Sequence, residues 1–565
     1  MNPIGKANEI TAPFGVLGCK QFREGIFSKH LPLCIALAHQ YKREALKSSY
    51  IEANRQLLQC DQFLTIGSKA IGLSIYSDDD EVRAFAELKA DAFRRKYVES
   101  FHRARVPGTK NVFAIKSCIK ELAIYGLSFP CRNWRVANDD QIKQAAARVF
   151  DQQWWRRQIR QLQGVLLETM NRQLGLVNKE MGIYASNFLV QRYREAKRRN
   201  ANLMSLVEME NDLGETATLQ ELNESSVSNP VNRRNEFMVR VVGFEEIAKE
   251  CGDVGVFITL TAPSKYHAYL SNPCRRNTKF AGYSVKETQT YLNNVWKRSR
   301  ASLSRLRIKP YGFRIVEPHH DGTPHWHMLF FVKPHQIEAL TSTLSRYALQ
   351  EDGDEKGASE HRLKVEEIDP SKGSAAGYIA KYVSKNIDGF GVPFDNYGND
   401  AASSAERIVA WASTHGIRQF QQIGGVSVTV YRELRRLNGH VPQSVKELLG
   451  DDLEKFEQVT ECADKGDWGG YTRLMGGVDV KRKEQFLRIC YFIKEECGKY
   501  SQPLKKLVGV VVSQVSTVLT RLRTWVVKSI RKPSTIVCQK VAKIDGNETI
   551  ESSAPWSSVN NCTIW

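Results

Sequence analysis

No two of the 12 cysteines stand in a C-x-x-C arrangement, and they are scattered over the 565 residues without a regular framework. A cysteine zinc site and a disulfide scaffold are therefore not expected, and reduced thiols in a cytoplasm fit the pattern. Long apolar runs are missing too. The most apolar stretch, 504–527, is broken by Lys505, Lys506, Arg521 and Arg523 and studded with Ser and Thr, so it is too polar to span a membrane and reads as two strands. The opening segment, MNPIGKANEITAPFGVLGCKQF, has no basic region followed by a continuous apolar one, so no secretory signal is expected. Acidic charge is in deficit: 62 Asp and Glu against 81 Lys and Arg leave a net +19. A surplus of that size points to a polyanionic partner such as nucleic acid or an anionic membrane; charge alone does not choose between them, and the missing apolar runs weaken the membrane reading. What is present is ordinary for globular chains, with 42% hydrophobic residues, 38 Gly and 18 Pro, which argues against a disordered or collagenous molecule. The length allows roughly three folded units.

From residue 30 to about 200 the chain is rich in Ala, Leu, Arg, Lys, Gln and Glu, with few strand-like alternations, which predicts helices. Within it, 151–173 sets Trp154 and Trp155 among Arg156, Arg157, Arg160 and Arg172. That composition suits either a tryptophan core with a solvated basic face or a surface on which phosphates meet cations and bases stack on rings. Residues 201–232 then carry six acidic residues and no Lys or Arg, and end in the turn-rich SSVSNP. Such a shift marks a domain edge, placed near 235. Beyond it short strands and helices alternate: strand 256–261, a helix capped by the S-x-x-E box of Ser284 and Glu287, strands 313–317 and 325–332, helix 336–348, strand 362–368 and helix 374–386. The order β-α-β-β-α-β-α predicts an α+β domain whose antiparallel sheet carries helices on one side.

The chemistry concentrates in RIVEPHHDGTPHWHMLFFV. His325 and His327, two apart on a strand, point to one face, and Trp326 points to the other. If His320, Asp321 and Gly322 form a three-residue loop with Gly322 left-handed, residue 319 pairs with 323 and Glu317 falls opposite His325. Two imidazoles and one carboxylate on one face suit Mg²⁺ or Mn²⁺, with coordination positions left for a phosphate oxygen. His319 and His320 belong to the turn and are expected to be exposed. Further on, GYIAKYVSKN places Tyr378 and Tyr382 one helical turn apart, with Lys385 on the same stripe, while Ile379, Val383 and Ile387 occupy a different face that can pack on the sheet. A phenol is a weak nucleophile at its usual pKa of about 10, so attack on a phosphodiester needs the metal and a nearby lysine.

Three segments, FITLTAPSKYH (257–267), EPHHDGTPHWHMLFF (317–331) and YIAKYVSKNID (378–388), resemble in order the three motifs of HUH rolling-circle replication endonucleases, most closely the replication gene A proteins of temperate tailed phages and microviruses. WWRRQIRQL and AWASTHGIRQFQQIGG are similar to segments of that family as well, so the resemblance reaches to about residue 440. It implies an origin nickase that stays attached to a 5′ phosphate through tyrosine, leaves a 3′ hydroxyl for a host polymerase, works beside a host helicase and rejoins the strand at the end. Tyr378 and Tyr382 would be the paired nucleophiles, Lys385 their lysine, and His325, His327 and Glu317 the metal site. Lys265 and Lys381, within the first and third segments, are expected to contact single-stranded origin DNA. The expected organisation is a mainly helical region over 1–235 for DNA or host-factor binding, a nicking and joining domain over 236–440 with a central antiparallel sheet flanked by helices, and a small α/β region over 441–565. The competing readings are a relaxase or transposase of the same superfamily, and a non-catalytic origin-binding protein.

Overall fold

The computed structural model describes residues 2–530 apart from 107, 370, 372, 396, 440, 514 and 515. The expected C-terminal region is thus described only as far as residue 530. The chain is α+β, with helices from Pro3 to Gln173 wrapped round one apolar core and an antiparallel sheet beyond them. Among the described residues no helix is long and apolar enough to cross a membrane.

Helix α1 (Gln152–Gln173) decides between the two readings of its tryptophans. Trp155 is fully buried, its indole N–H donates to the Val149 carbonyl at 2.8 Å, and Phe93, Trp154 and Tyr125 surround it with ring centroids at 5.0, 5.2 and 5.6 Å. The basic residues beside it are engaged as well: Arg156 and Arg160 both donate through Nε to Asp79, at 3.2 and 3.1 Å, and Arg172 is buried. The tryptophans therefore build a core and offer no platform for bases, because burying a ring of that size in apolar surroundings outweighs leaving it in water.

The acidic stretch 201–232 is more than an edge. Val207–Asn211 pairs with Thr216–Thr218 and with Trp525–Ile530 in a three-stranded antiparallel sheet, and Lys528 and Ser529 of the late strand reach Glu210 and Glu208 at 3.0 and 3.2 Å. The missing cations of the early segment are supplied by the late one. The apolar stretch expected as two strands holds three: Pro503–Val512 and Ser516–Leu519 join Leu487–Cys497, and Trp525–Ile530 crosses to the other sheet.

Helix α2 (Pro230–Cys251), capped by the Asn229 side chain, runs through residue 235 and opens the sheet unit. That sheet comprises β1 (Val254–Leu260), β2 (Tyr311–Pro318), β3 (Pro324–Val332), β4 (Leu363–Glu367) and β5 (Phe420–Ile423), in the order β4-β1-β3-β2-β5 with every neighbour antiparallel. Helices α3 (Val285–Arg305), opened by the Ser284 and Glu287 capping box, and α4 (Ile337–Ala348) cover one face. Helices α2 and α5 (Ala375–Ile387) cover the other. The expectation of helices on one side only is thus corrected. The reason lies in β3, where Trp326, Met328 and Phe330 on one face and Leu329 and Phe331 on the other are all buried, so both faces need cover.

The sheet unit shares its core with segments beyond 236–440. Ala185, Leu189 and Val190 pack into the α3 side, and Trp468, Tyr471, Leu487 and Val510 into the α2 side.

Candidate metal and nucleophile site

The turn between β2 and β3 has the expected geometry. The His319 N–H donates to Thr323 at 2.7 Å, Gly322 has φ +77°, and Glu317 lies opposite His325. Any Cβ at Gly322 would be strained at that φ and would press on the Tyr184 carbonyl at 3.3 Å. Register then places His325 and His327 on the face covered by α5.

Glu317 Oε1 stands 3.1 Å from His325 Nε2 and 2.9 Å from His327 Nε2, and the two imidazole nitrogens are 2.9 Å apart. All three side chains are buried, and they form the one group of three or more His, Cys, Asp or Glu donors among the described residues whose ligand atoms all lie within 4.8 Å of one another. His327 Nδ1 lies 3.0 Å from Thr259 Oγ1. With a cation bound, a proton on Nδ1 donated to that hydroxyl would turn the Nε2 lone pair to the ion. Two imidazoles and one carboxylate converging on a point fit a divalent cation.

The Glu317 carboxylate is well supplied with positive charge. Burial by itself would raise its pKa, but the Lys385 ammonium, His327 and hydrogen bonds from both imidazoles hold it well below the usual carboxylate range. Lys385 Nζ is 3.4 Å from Oε1 and lies over the Tyr184 ring at 5.2 Å, while Asn386 Nδ2 donates to Oε2 at 2.7 Å and to the Tyr382 carbonyl at 2.7 Å. Helix α5 therefore carries a lysine, an asparagine and a tyrosine into the cluster, held from behind by the buried Ile379, Val383 and Ile387. Of the expected stripe, Tyr382 and Lys385 reach the cavity and Tyr378 does not.

The two tyrosines are not equivalent. The Tyr382 ring lies 4.1 Å from that of His327 and 5.1 Å from that of Phe257, and it lines a cavity of about 200 Å³ with Glu317, Pro318, His319, His325, His327, Lys385 and Tyr397. Burial and the charges of Glu317 and Glu366 push its phenol up to about 12. Tyr378, one turn earlier, is half-buried against the α2 side and is not among the cavity-lining residues.

Other expected site residues fall differently. His320 is only 3% exposed and His319 stacks on His325 with centroids 3.9 Å apart, so neither is the exposed turn residue anticipated; the turn is packed beneath α1 and α6 (Ala401–His415). Lys265, expected at DNA, is paired with Glu351 at 2.9 Å and Asp352 at 3.0 Å, so its charge is already balanced. Lys381 is exposed on α5. Sequence reasoning missed Asn386, although it stands four residues after Tyr382 on the same helix, and it missed Thr259, Arg172 and Tyr397. Thr259 had a signal, since strand alternation puts it on the face of Phe257. Tyr397 and Arg172 had none, because each reaches the site only through the tertiary fold.

The family model for the bacteriophage replication gene A protein (GPA) matches residues 80–390. The chain belongs to the replication gene A protein family. The match spans more than half of the chain and includes every residue of the cluster, from Thr259 to Asn386, together with Arg172 on α1. Relatives include the replication gene A protein of Escherichia phage 186, 40% identical over 75% of this chain and 60% of that protein, and the probable replication protein P12 of Pseudoalteromonas phage PM2, 39% identical over 75% of this chain and 62% of that one. A protein of Salmonella paratyphi A described as a probable replication endonuclease from a prophage-like region is 35% identical over 74% of this chain and 52% of its own length. The chain thus spans about three fifths or less of the length of these curated relatives. No solved structure matches it.

Proposed function

We propose that this protein is a phage DNA replication initiator that nicks one strand at an origin, holds the 5′ phosphate on tyrosine, and rejoins DNA to start and finish rolling-circle replication. The observation that carries the reading is the convergence of Glu317, His325 and His327 beside the Tyr382 phenol in one cavity. The names of the relatives, replication gene A protein and replication endonuclease, support it.

His325, His327 and Glu317 would hold Mg²⁺ or Mn²⁺, which supplies positive charge to the non-bridging oxygens of the scissile phosphate. Tyr382 is the nucleophile set nearest. Its oxygen forms the new bond to phosphorus as the bond to the 3′ oxygen breaks, and the phenol proton is balanced by the one gained by the 3′ hydroxyl. One phosphodiester is exchanged for another, so the reverse step rejoins DNA with little change in free energy. Lys385, within the same cavity, supplies a second cation to the attacking or departing oxygen. Tyr378 is the second nucleophile, needed when Tyr382 is occupied. Substrate DNA is single-stranded at the cut, since the phenol must reach an unconstrained phosphate. The 3′ hydroxyl then serves a host polymerase beside a host helicase in the bacterial cytoplasm.

Short single-stranded DNAs tiled across the adjacent genome, incubated with Mg²⁺ or Mn²⁺, are expected to yield protein-linked 5′ ends at one position. Excess chelator or His327→Ala should lower nicking at least about 10³-fold, the scale of several kcal/mol of charge stabilisation, while the DNA mobility shift persists. Full cleavage in excess chelator would remove the metal from the mechanism, and a shift without breakage on any oligonucleotide would favour a binding protein. Asn386→Ala frees the second oxygen of Glu317. Calorimetric titration of that variant with Mn²⁺ should show binding weakened about 10- to 100-fold, and unchanged affinity would deny Asn386 a part in orienting the carboxylate.

A further inference from the structure

Between α5 and α6 the chain reads DGFGVPFDNYGND, with three aromatic residues that the proposed chemistry does not use. Phe390 is 67% exposed, Phe394 61% and Tyr397 37%. Large rings are rarely left in water without a partner, and here three lie within eight residues of one another. The segment bearing them is pinned. The buried Asp395 accepts hydrogen bonds from the Tyr184 hydroxyl and Ser404 Oγ at 2.9 Å each through one oxygen, and from the Tyr397 and Asn399 N–H groups at 2.8 and 2.9 Å through the other. Phe394 bridges Asp400 across the segment. Phe394 and Tyr397 thus stand beside a residue anchored by four hydrogen bonds.

Tyr397 lines the same cavity as Tyr382 and the two imidazoles and packs edge-on to Tyr184 and His320 with centroids 6.1 and 6.0 Å away. At the other end of the segment the Arg234 guanidinium, ion-paired with Asp388, lies 4.0 Å from the centroid of the Phe390 ring. One face of Phe390 thus carries a cation while the residue as a whole stays exposed. The chain as a whole carries a net charge of +19, so a polyanion is drawn to the protein.

We propose that Phe390, Phe394 and Tyr397 form a stacking site for the unpaired bases of the DNA strand whose phosphate enters the cavity. Stacking on rings is indifferent to base identity, so this site holds the strand and leaves the choice of sequence to other contacts. The placement of the strand rests on the nicking reading, and the test is built to separate the two.

Binding of the full chain to an oligothymidylate of about 20 nucleotides and to an abasic strand of equal length is measured by fluorescence anisotropy in excess chelator, where no cutting intervenes. The natural protein should bind the oligothymidylate more tightly than the abasic strand. Phe390→Ala and Phe394→Ala should each weaken oligothymidylate binding about tenfold, and the double variant about 100-fold. Abasic binding and the salt dependence should stay unchanged, because no phosphate contact is lost. Both residues are exposed, so the unfolding temperature should not move. Unchanged oligothymidylate binding by the double variant overturns the proposal. An equal loss on the abasic strand does so too, since it assigns the rings to the backbone. A fall in native mass with DNA binding intact would assign them to self-association and also overturn it. Ring-dependent binding by a protein that cuts no DNA would leave the stacking site standing and sink the nickase reading; normal cutting by a double variant with unaltered binding would do the reverse.

Discussion

Replacing both Tyr378 and Tyr382 by phenylalanine is expected to abolish covalent attachment of the protein to DNA, with single-strand cleavage falling roughly 10⁴-fold or more, the order seen when a nucleophile is removed. The single variants should differ. Tyr382 lines the cavity with its ring 4.1 Å from His327, whereas Tyr378 stands one turn back on α5 outside that lining. Tyr382→Phe should therefore take most of the first cleavage on an oligonucleotide. Tyr378→Phe should leave that cleavage within a few-fold of normal yet fail to complete replication, because the second cut needs a second phenol. The two Cβ atoms are about 6 Å apart by helical geometry, so a side-chain swing or a small shift of α5 brings Tyr378 to the same phosphate. Denaturing gels that retain protein-linked DNA measure all three variants. An adduct formed by the double variant would put the nucleophile elsewhere, and equal losses in the two single variants would refute the asymmetry.

The second large effect lies outside the cavity. Arg172, on α1, is buried and donates to the Asp321 carbonyl at 2.9 Å, Thr323 Oγ1 at 2.9 Å, the Tyr283 carbonyl at 3.1 Å and the Tyr266 carbonyl at 3.3 Å. Asp321 in turn accepts from Ala268 N at 2.8 Å and Thr323 N at 3.0 Å, and Trp411 of α6 holds the Gly322 carbonyl at 2.9 Å. The hairpin turn that sets the register of Glu317 against His325 is thus clamped by the helical region. Arg172→Ala leaves several buried acceptors without donors, which costs about 3–5 kcal/mol in all. Chemical denaturation should read that loss, and nicking should fall with it even in the fraction that stays folded. An Arg172→Ala protein with normal stability would show that the clamp carries no load. By the same geometry an isolated 235–440 fragment, which lacks Arg172, Tyr184 and the Trp468 side of the core, is expected to lose nicking, although all of the proposed chemical groups lie inside it.

Much of the site was legible because strand and helix periods are short-range rules. His-x-His on a strand, Gly322 in a three-residue turn and Tyr382 with Lys385 at helical spacing each follow from a few neighbouring residues, and together they placed Glu317, His325 and His327 on one face. The same local rules failed where partners are remote in the chain. Lys265 had no visible reason to be spent on Glu351 and Asp352, and His320 none to be buried.

By itself the amino-acid sequence determined the α+β class, the succession of β1 to β4 with α3, α4 and α5, the register of the β2–β3 hairpin and the residue types that meet on it, because each depends on hydrophobic period, turn chemistry or spacing within about a dozen residues, while the edge strand β5 and the helices α2 and α6 were not read from it. Only the tertiary structure decided which tyrosine faces the cluster, that α1 clamps the turn, that both faces of the sheet are covered, and that Tyr397 joins the cavity. Those outcomes rest on contacts between segments tens to hundreds of residues apart, where burial and charge pairing summed over the whole chain choose among arrangements that local pattern leaves equal.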